Sequence, residues 1–114
     1  MDTNHWLSQL RKGVLELLVL RLLALRGELH GYAIVKDLLA LGPLVAGENT
    51  IYPLVRRLEA DGLLVSRWVE SESGPPRKYY RLSDAGFAFL AEAQREWDSV
   101  ANTISLLKGE QSDD

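Results

Sequence analysis

From residue 90 onward the apolar side chains follow a rhythm that a small closed domain does not need. Leu90, Ala93, Trp97, Val100, Ile104 and Leu107 are spaced 3, 4, 3, 4 and 3 residues apart, the heptad seam of a helix that lies lengthwise on another helix. Ser83 suits the N-cap of that helix. A helix from there to Leu107 spans about 36 Å, long for the body of a 114-residue chain. An apolar seam on such a helix needs a partner. The expectation is a twofold homodimer that buries Trp6, Leu10, Leu90, Trp97, Val100, Ile104 and Leu107. The plainer alternative is a helix that packs only on its own domain.

The first 82 residues carry different periods. In "SQLRKGVLELLVLRLLAL", Ser8 to Leu25, leucine and valine are too dense for a one-sided surface helix, which implies burial on two sides. "RGELHGY" reads as a loop. A second helix is expected from Gly31 to Leu41, burying Tyr32, Val35, Leu38 and Leu39 and stopping at "GP". The third is expected to start at Asn49 or Thr50, both good caps, with Pro53 in its first turn or just beyond. Ile51, Leu54, Val55 and Leu58 share one face of it. Asn49, Tyr52, Pro53 and Arg56 lie on the other, Thr50 and Arg57 on the flank, and Gly62 of "DG" closes it. "LLVSRWVE" and "RKYYRLS", joined by "SESGPP", read as a β-hairpin. Its alternation turns Tyr80 and Leu82 inward and Arg77, Tyr79 and Arg81 outward.

Three helices and then a hairpin is the order of a winged helix-turn-helix, in which the third helix enters the major groove and the wing reaches a neighbouring groove or the backbone. The expected class is therefore mainly α (α+β): a winged helix-turn-helix with a two-stranded β wing and a long C-terminal dimerisation helix. Residues 1–82 form the DNA-binding domain with its N-terminal helix, and residues 83–114 the dimerisation helix and an acidic tail. Charge agrees with this division, although the chain is acidic at −3. Between 49 and 82, Arg56, Arg57, Arg67, Arg77, Lys78 and Arg81 outnumber Glu59, Asp61, Glu70 and Glu72, whereas acids dominate from 83 onward. Such asymmetry steers a polyanion to one face.

Each residue has a duller reading. Surface arginines such as Arg56 and Arg57, or a basic pair such as Arg77 and Lys78 at a hairpin tip, are by themselves more often solvated charges than ligands. Their order along the chain favours DNA. Arg56 could fork onto guanine and Asn49 pair with adenine, each bidentate contact discriminating by about 1–3 kcal/mol. Arg77, Lys78 and Arg81 are expected on phosphates, where they position the protein and make binding sensitive to salt. Tyr52 either reaches a phosphate or a base edge, or is partly buried.

"GYAIVKDL", "NTIYPLVRRLEADGLLVSRW" and "GPPRKYYRLSDAG" resemble the PadR family of bacterial transcriptional regulators, over about Leu10 to Trp97. A single helix after the wing resembles the short-form members. The resemblance implies a homodimer with a winged-helix DNA-binding domain, usually a repressor released by a small molecule. It places Thr50, Tyr52 and Pro53 at the start of the recognition helix and Arg77 and Lys78 on the wing. Asn49 departs from the pattern, where a smaller residue such as Ser is expected. Effector pockets of this form often lie near the dimer interface. Trp97 therefore either stacks on a small aromatic or hydrophobic effector or simply anchors the interface.

Other classes find no support. There are no cysteines, and His5 and His30 stand alone without an acidic cluster, so no metal site or cofactor is expected. No phosphate-binding loop or nucleophile elbow occurs, so no catalytic residue is assigned. No run approaches the length of a membrane span, and with no export signal the expected compartment is the cytoplasm. The competing reading is a winged-helix module that uses its hairpin and long helix for protein contacts.

Overall fold

The computed structural model describes residues 2–42 and 47–109. Pro43 of the expected "GP" stop and the acidic tail beyond 109 lie outside the described residues. The elements are α1 (Thr3–Arg26), β1 (Leu29–His30), α2 (Gly31–Leu39), α3 (Glu48–Ala60), β2 (Leu64–Val69), β3 (Arg77–Leu82) and α4 (Asp84–Leu107). The strands form one antiparallel sheet in the order β1-β3-β2. This is the winged helix-turn-helix the sequence predicts, with one addition. The expected loop at "RGELHGY" contains a two-residue strand, Leu29–His30, which pairs with Tyr80 and Tyr79 and makes the wing three-stranded at its base.

Helix α1 begins at Thr3 rather than Ser8, because the Asp2 carboxylate accepts from the Asn4 N–H at 3.0 Å and caps it. Leu15, Val19, Leu20 and Leu23 are buried, and Leu17, Leu18, Leu22 and Ala24 pack against the same core. Burial on more than one side explains the leucine density. In α2 the phase differs from the expectation. Ile34, Val35 and Leu38 face the core, whereas Tyr32 is 64% and Leu39 45% exposed. The helix stops at Leu39, and Tyr32 stacks on His30 instead, ring centroids 6.3 Å apart.

Helix α3 is capped by Gly47, so Asn49 and Thr50 lie in its first turn and neither acts as the cap. Their side chains remain outside the capping role expected for them. Pro53 sits inside the helix and, lacking an N–H, leaves the Asn49 carbonyl without its helical donor. Ile51, Leu54, Val55 and Leu58 are all buried, and Gly62 adopts φ +83° just past the end, both as predicted.

Helix α4 starts where the sequence places it. Ser83 accepts from the Gly86 N–H at 2.9 Å, donates its hydroxyl to the Gly62 carbonyl at 2.7 Å, and its N–H bonds the Leu63 carbonyl at 3.1 Å. Gly86 is needed here, because a Cβ would fall 2.1 Å from the Leu63 carbonyl oxygen. Leu90 packs into its own chain's core at 5% exposure, which removes it from the expected dimer surface. The seam begins on the domain and leaves it after one turn.

Buried positions in α1 start at Leu15, and those in α4 end at Leu90. The N-terminal part of α1 and most of α4 therefore extend past the core. The radius of gyration, 16.7 Å, exceeds the about 13 Å of a compact chain of this length.

Candidate nucleic-acid interface

The outward face of α3 is largely polar because Ile51, Leu54, Val55 and Leu58 are all on the other side. Asn49, Thr50, Pro53, Arg56 and Arg57 are exposed, and Tyr52 is half-buried. The two adjacent arginines differ. Arg57 forms an ion pair with Glu16 of α1, a bond that joins the two helices. Arg56 makes no hydrogen bond or ion pair among the described residues, so its five donors face solvent.

Beside this face lies a pocket of about 310 Å³, lined by His30, Gly31, Tyr32, Tyr52, Arg77, Lys78 and Tyr80. It draws on α2, α3 and β3, and no carboxylate lines it. Tyr52 enters because Gly31 has no side chain: a Cβ there would stand 3.0 Å from Tyr52 Cε1. Its partial burial and its place at the pocket are the same fact. Tyr32 joins it, having turned away from the core.

His30 organises the pocket's edge. Its Nδ1 accepts from the Ala33 N–H at 3.3 Å and caps α2, while its Nε2 lies 3.0 Å from Arg77 Nη1. Tyr79 meets its ring edge-on at 5.3 Å. Burial, and then the nearby Arg77 charge, hold the imidazole pKa below its ordinary value. A neutral imidazole has one bare nitrogen, yet a donor stands at each of the two ring nitrogens. Arg77 is thus aimed over the pocket by a partner that cannot fully satisfy it.

On the hairpin the expected cations part company. Lys78 faces α3, where its ammonium bonds Glu59 at 3.1 Å and sits 5.5 Å above the Tyr80 ring. Arg67 makes a bidentate pair with Glu28 at 2.8 Å on the opposite face. That pair holds the Glu28 carboxyl below the usual carboxylate range. Arg81 is exposed on that outer face too, with Arg67 and Tyr79, away from α3. Tyr52 and Arg77 therefore share the pocket, and Asn49, Thr50, Pro53 and Arg56 stand exposed on α3. Arg57 and Lys78 are paired with Glu16 and Glu59, and Arg81 lies on the outer face of the hairpin.

Sequence reasoning missed His30, Tyr32 and Glu59 as site residues, and Trp68, which is 67% exposed opposite Lys78. Glu59 had a readable signal: an acid in a helix's last turn is at the wrong end of the macrodipole and needs another partner.

Of the residues assigned to the dimer, Trp6 (51%), Trp97 (41%), Val100 (52%), Ile104 (56%) and Leu107 (83%) are exposed, and Leu10 is half-buried. A groove of about 810 Å³ runs between α1 and α3 past Gly13, Leu15, Pro53 and Leu54, and Trp97 does not line it. Among the described residues no helix is long and apolar enough to cross a membrane, and no group of three or more His, Cys, Asp or Glu could hold a metal ion.

Comparison with known proteins agrees with this geometry. The model of the PadR-like transcriptional regulator family matches residues 19–92. A PadR family transcriptional regulator from Eggerthella lenta DSM 2243 superposes with a TM-score of 0.80 at 40% identity, covering 94% of this chain and 92% of that one. A PadR-like regulator from Bacillus cereus gives 0.77 at 34% identity, covering 89% and 97%. Transcriptional regulator Rv3488 of Mycobacterium tuberculosis is 39% identical over 77 residues, 68% of this chain and 70% of that protein. Family, fold and the polar face of α3 converge: the chain belongs to the PadR-like family and is a DNA-binding transcriptional regulator, not an enzyme.

Proposed function

We propose that the protein acts as a homodimer that binds an inverted-repeat operator and represses transcription until a small aromatic or hydrophobic ligand releases it. The observation that carries the DNA contact is the unpaired Arg56 on an exposed polar helix face, next to an acid-free pocket over which Arg77 is aimed. In this reading Arg56 and Asn49 meet base edges in the major groove. Arg77, Tyr32 and Tyr52 meet the backbone phosphates beside it. The Asn49 carbonyl, released by Pro53, adds an acceptor to the same face.

The dimer is supported by the uncovered seam of Trp97, Val100, Ile104 and Leu107 together with Trp6. Apolar side chains at helical spacing on two projecting helices suit burial against a second copy. A twofold dimer of this kind would set its two recognition helices about 34 Å apart, one turn of DNA. Trp97, exposed mid-seam, is assigned to the ligand, stacking on it at the interface.

The test is binding of a duplex from upstream of the protein's own gene across a salt series. The expected result is tight binding, lost when the repeat is scrambled, with a steep decline of affinity in salt. Binding indifferent to both sequence and salt would instead favour a protein-contact module.

A further inference from the structure

The recognition helix and the hairpin must meet DNA together, and one side chain joins them. Glu59, in the last turn of α3, divides its carboxylate between the two strands of the hairpin. Its Oε2 accepts from Ser66 Oγ of β2 at 2.5 Å, and its Oε1 from Lys78 Nζ of β3 at 3.1 Å. Ser66 stands opposite Tyr80, and Lys78 opposite Trp68, so both partners share the hairpin face turned toward α3. The ammonium has a second anchor in the face of the Tyr80 ring, which belongs to the core.

Two physical points separate this contact from an ordinary surface ion pair. A carboxylate in the last turn faces the negative end of the helix macrodipole, so Glu59 gains nothing from α3 itself. Its carboxyl is nonetheless held below the ordinary range, chiefly by the Ser66 hydroxyl, with Lys78 adding to it against the cost of burial. The second point concerns the hairpin. An isolated two-stranded hairpin is marginally stable, and β1 covers β3 only at Tyr79 and Tyr80. From Lys78 toward the tip there is no third strand, and the Glu59 contact braces that stretch against the helix.

We infer that Glu59 is a positioning residue that fixes the hairpin against the recognition helix, and that Lys78 is its strut rather than a ligand of phosphate. The effect on affinity rests on the DNA-binding reading above, whereas the strut itself does not.

The experiment compares E59Q, K78M, the double variant E59Q/K78M, K78E and the charge reversal E59K/K78E, each checked for folding by circular dichroism. The probe is the duplex from upstream of the protein's own gene. E59Q and K78M should each weaken binding by about threefold to fivefold, the scale of a partly exposed ion pair. The double variant should be no weaker than either single one, the salt slope should stay unchanged, and the reversal should recover most of what K78E loses.

A reversal that binds less well than K78E, or a K78M slope smaller by about 0.9, would make Lys78 a phosphate ligand and overturn the inference. Amide hydrogen exchange gives a reading without DNA. E59Q should accelerate exchange in the hairpin and not in α1, and unchanged hairpin protection sinks the strut. If the wild type binds no duplex while hairpin protection still falls in E59Q, the DNA-binding reading fails and the strut stands.

Discussion

Arg56 and Arg77 are both exposed guanidiniums, yet their surroundings assign them different work. Arg56 stands on the exposed helix face proposed for the groove, and Arg77 lines the carboxylate-free pocket proposed for phosphate. Arg56→Ala should lower affinity for the specific duplex by a factor corresponding to about 1–3 kcal/mol and relax preference at one base pair. Arg77→Ala should weaken binding to all duplexes alike and reduce the salt slope by about 1. Fluorescence anisotropy with a specific and an unrelated duplex separates the two. His30 gives a third outcome at this scale. Its folded pKa lies below its unfolded value, so its contribution to stability is present above about 6.5 and lost as pH falls through the lower folded value. The thermal midpoint should therefore drop on acidification from neutral pH. His30→Asn, which keeps a capping side chain without a titrating ring, should flatten that part of the profile.

At the scale of elements, most of the fold was legible because each segment has its own period. Seams at helical spacing marked α3 and α4, alternation marked β3, and Ser83 and Gly62 marked boundaries that the structure keeps. What stayed hidden depends on contacts distant in sequence. Strand β1 is two residues long and exists because Tyr79 and Tyr80 offer it an edge. Tyr32 fits the apolar pattern of α2, and only the placement of His30 and Tyr52 shows that it faces outward. Lys78 and Arg77 look alike in sequence, and the partners that distinguish them, Glu59 and His30, lie 19 and 47 residues away. Gly86 is the element-scale position most open to test. Gly86→Ala puts a methyl group into the Leu63 carbonyl, and overpacking of this kind costs about 1–3 kcal/mol. Thermal unfolding should register the loss, and sedimentation should show weakened self-association, because the base of α4 is displaced.

For the whole molecule, the elongated shape is the feature that the proposed second copy would cover. The 62 Å long axis arises from two helices that continue beyond the core with apolar side chains on their surfaces. Trp97→Asp buries a charge in the proposed interface without touching the core, so it should give folded monomers by sedimentation. Those monomers should bind a single half-site weakly and lose the preference for a paired site. A dimer that survives the substitution would remove the seam from the account.

Ser83 and Gly86 fasten the base of α4 to the same Gly62–Leu63 segment that ends the recognition helix. In the proposed dimer the long helix would be a lever, with its fulcrum at the end of α3 and its load at the second copy. Over about 36 Å, a tilt of about 5° shifts the far end by roughly 3 Å. A ligand that changes how two such levers cross would need only a small local adjustment to move both heads out of step with the grooves. The methyl group missing from Gly86 is what lets the base of that lever sit directly against the Leu63 carbonyl.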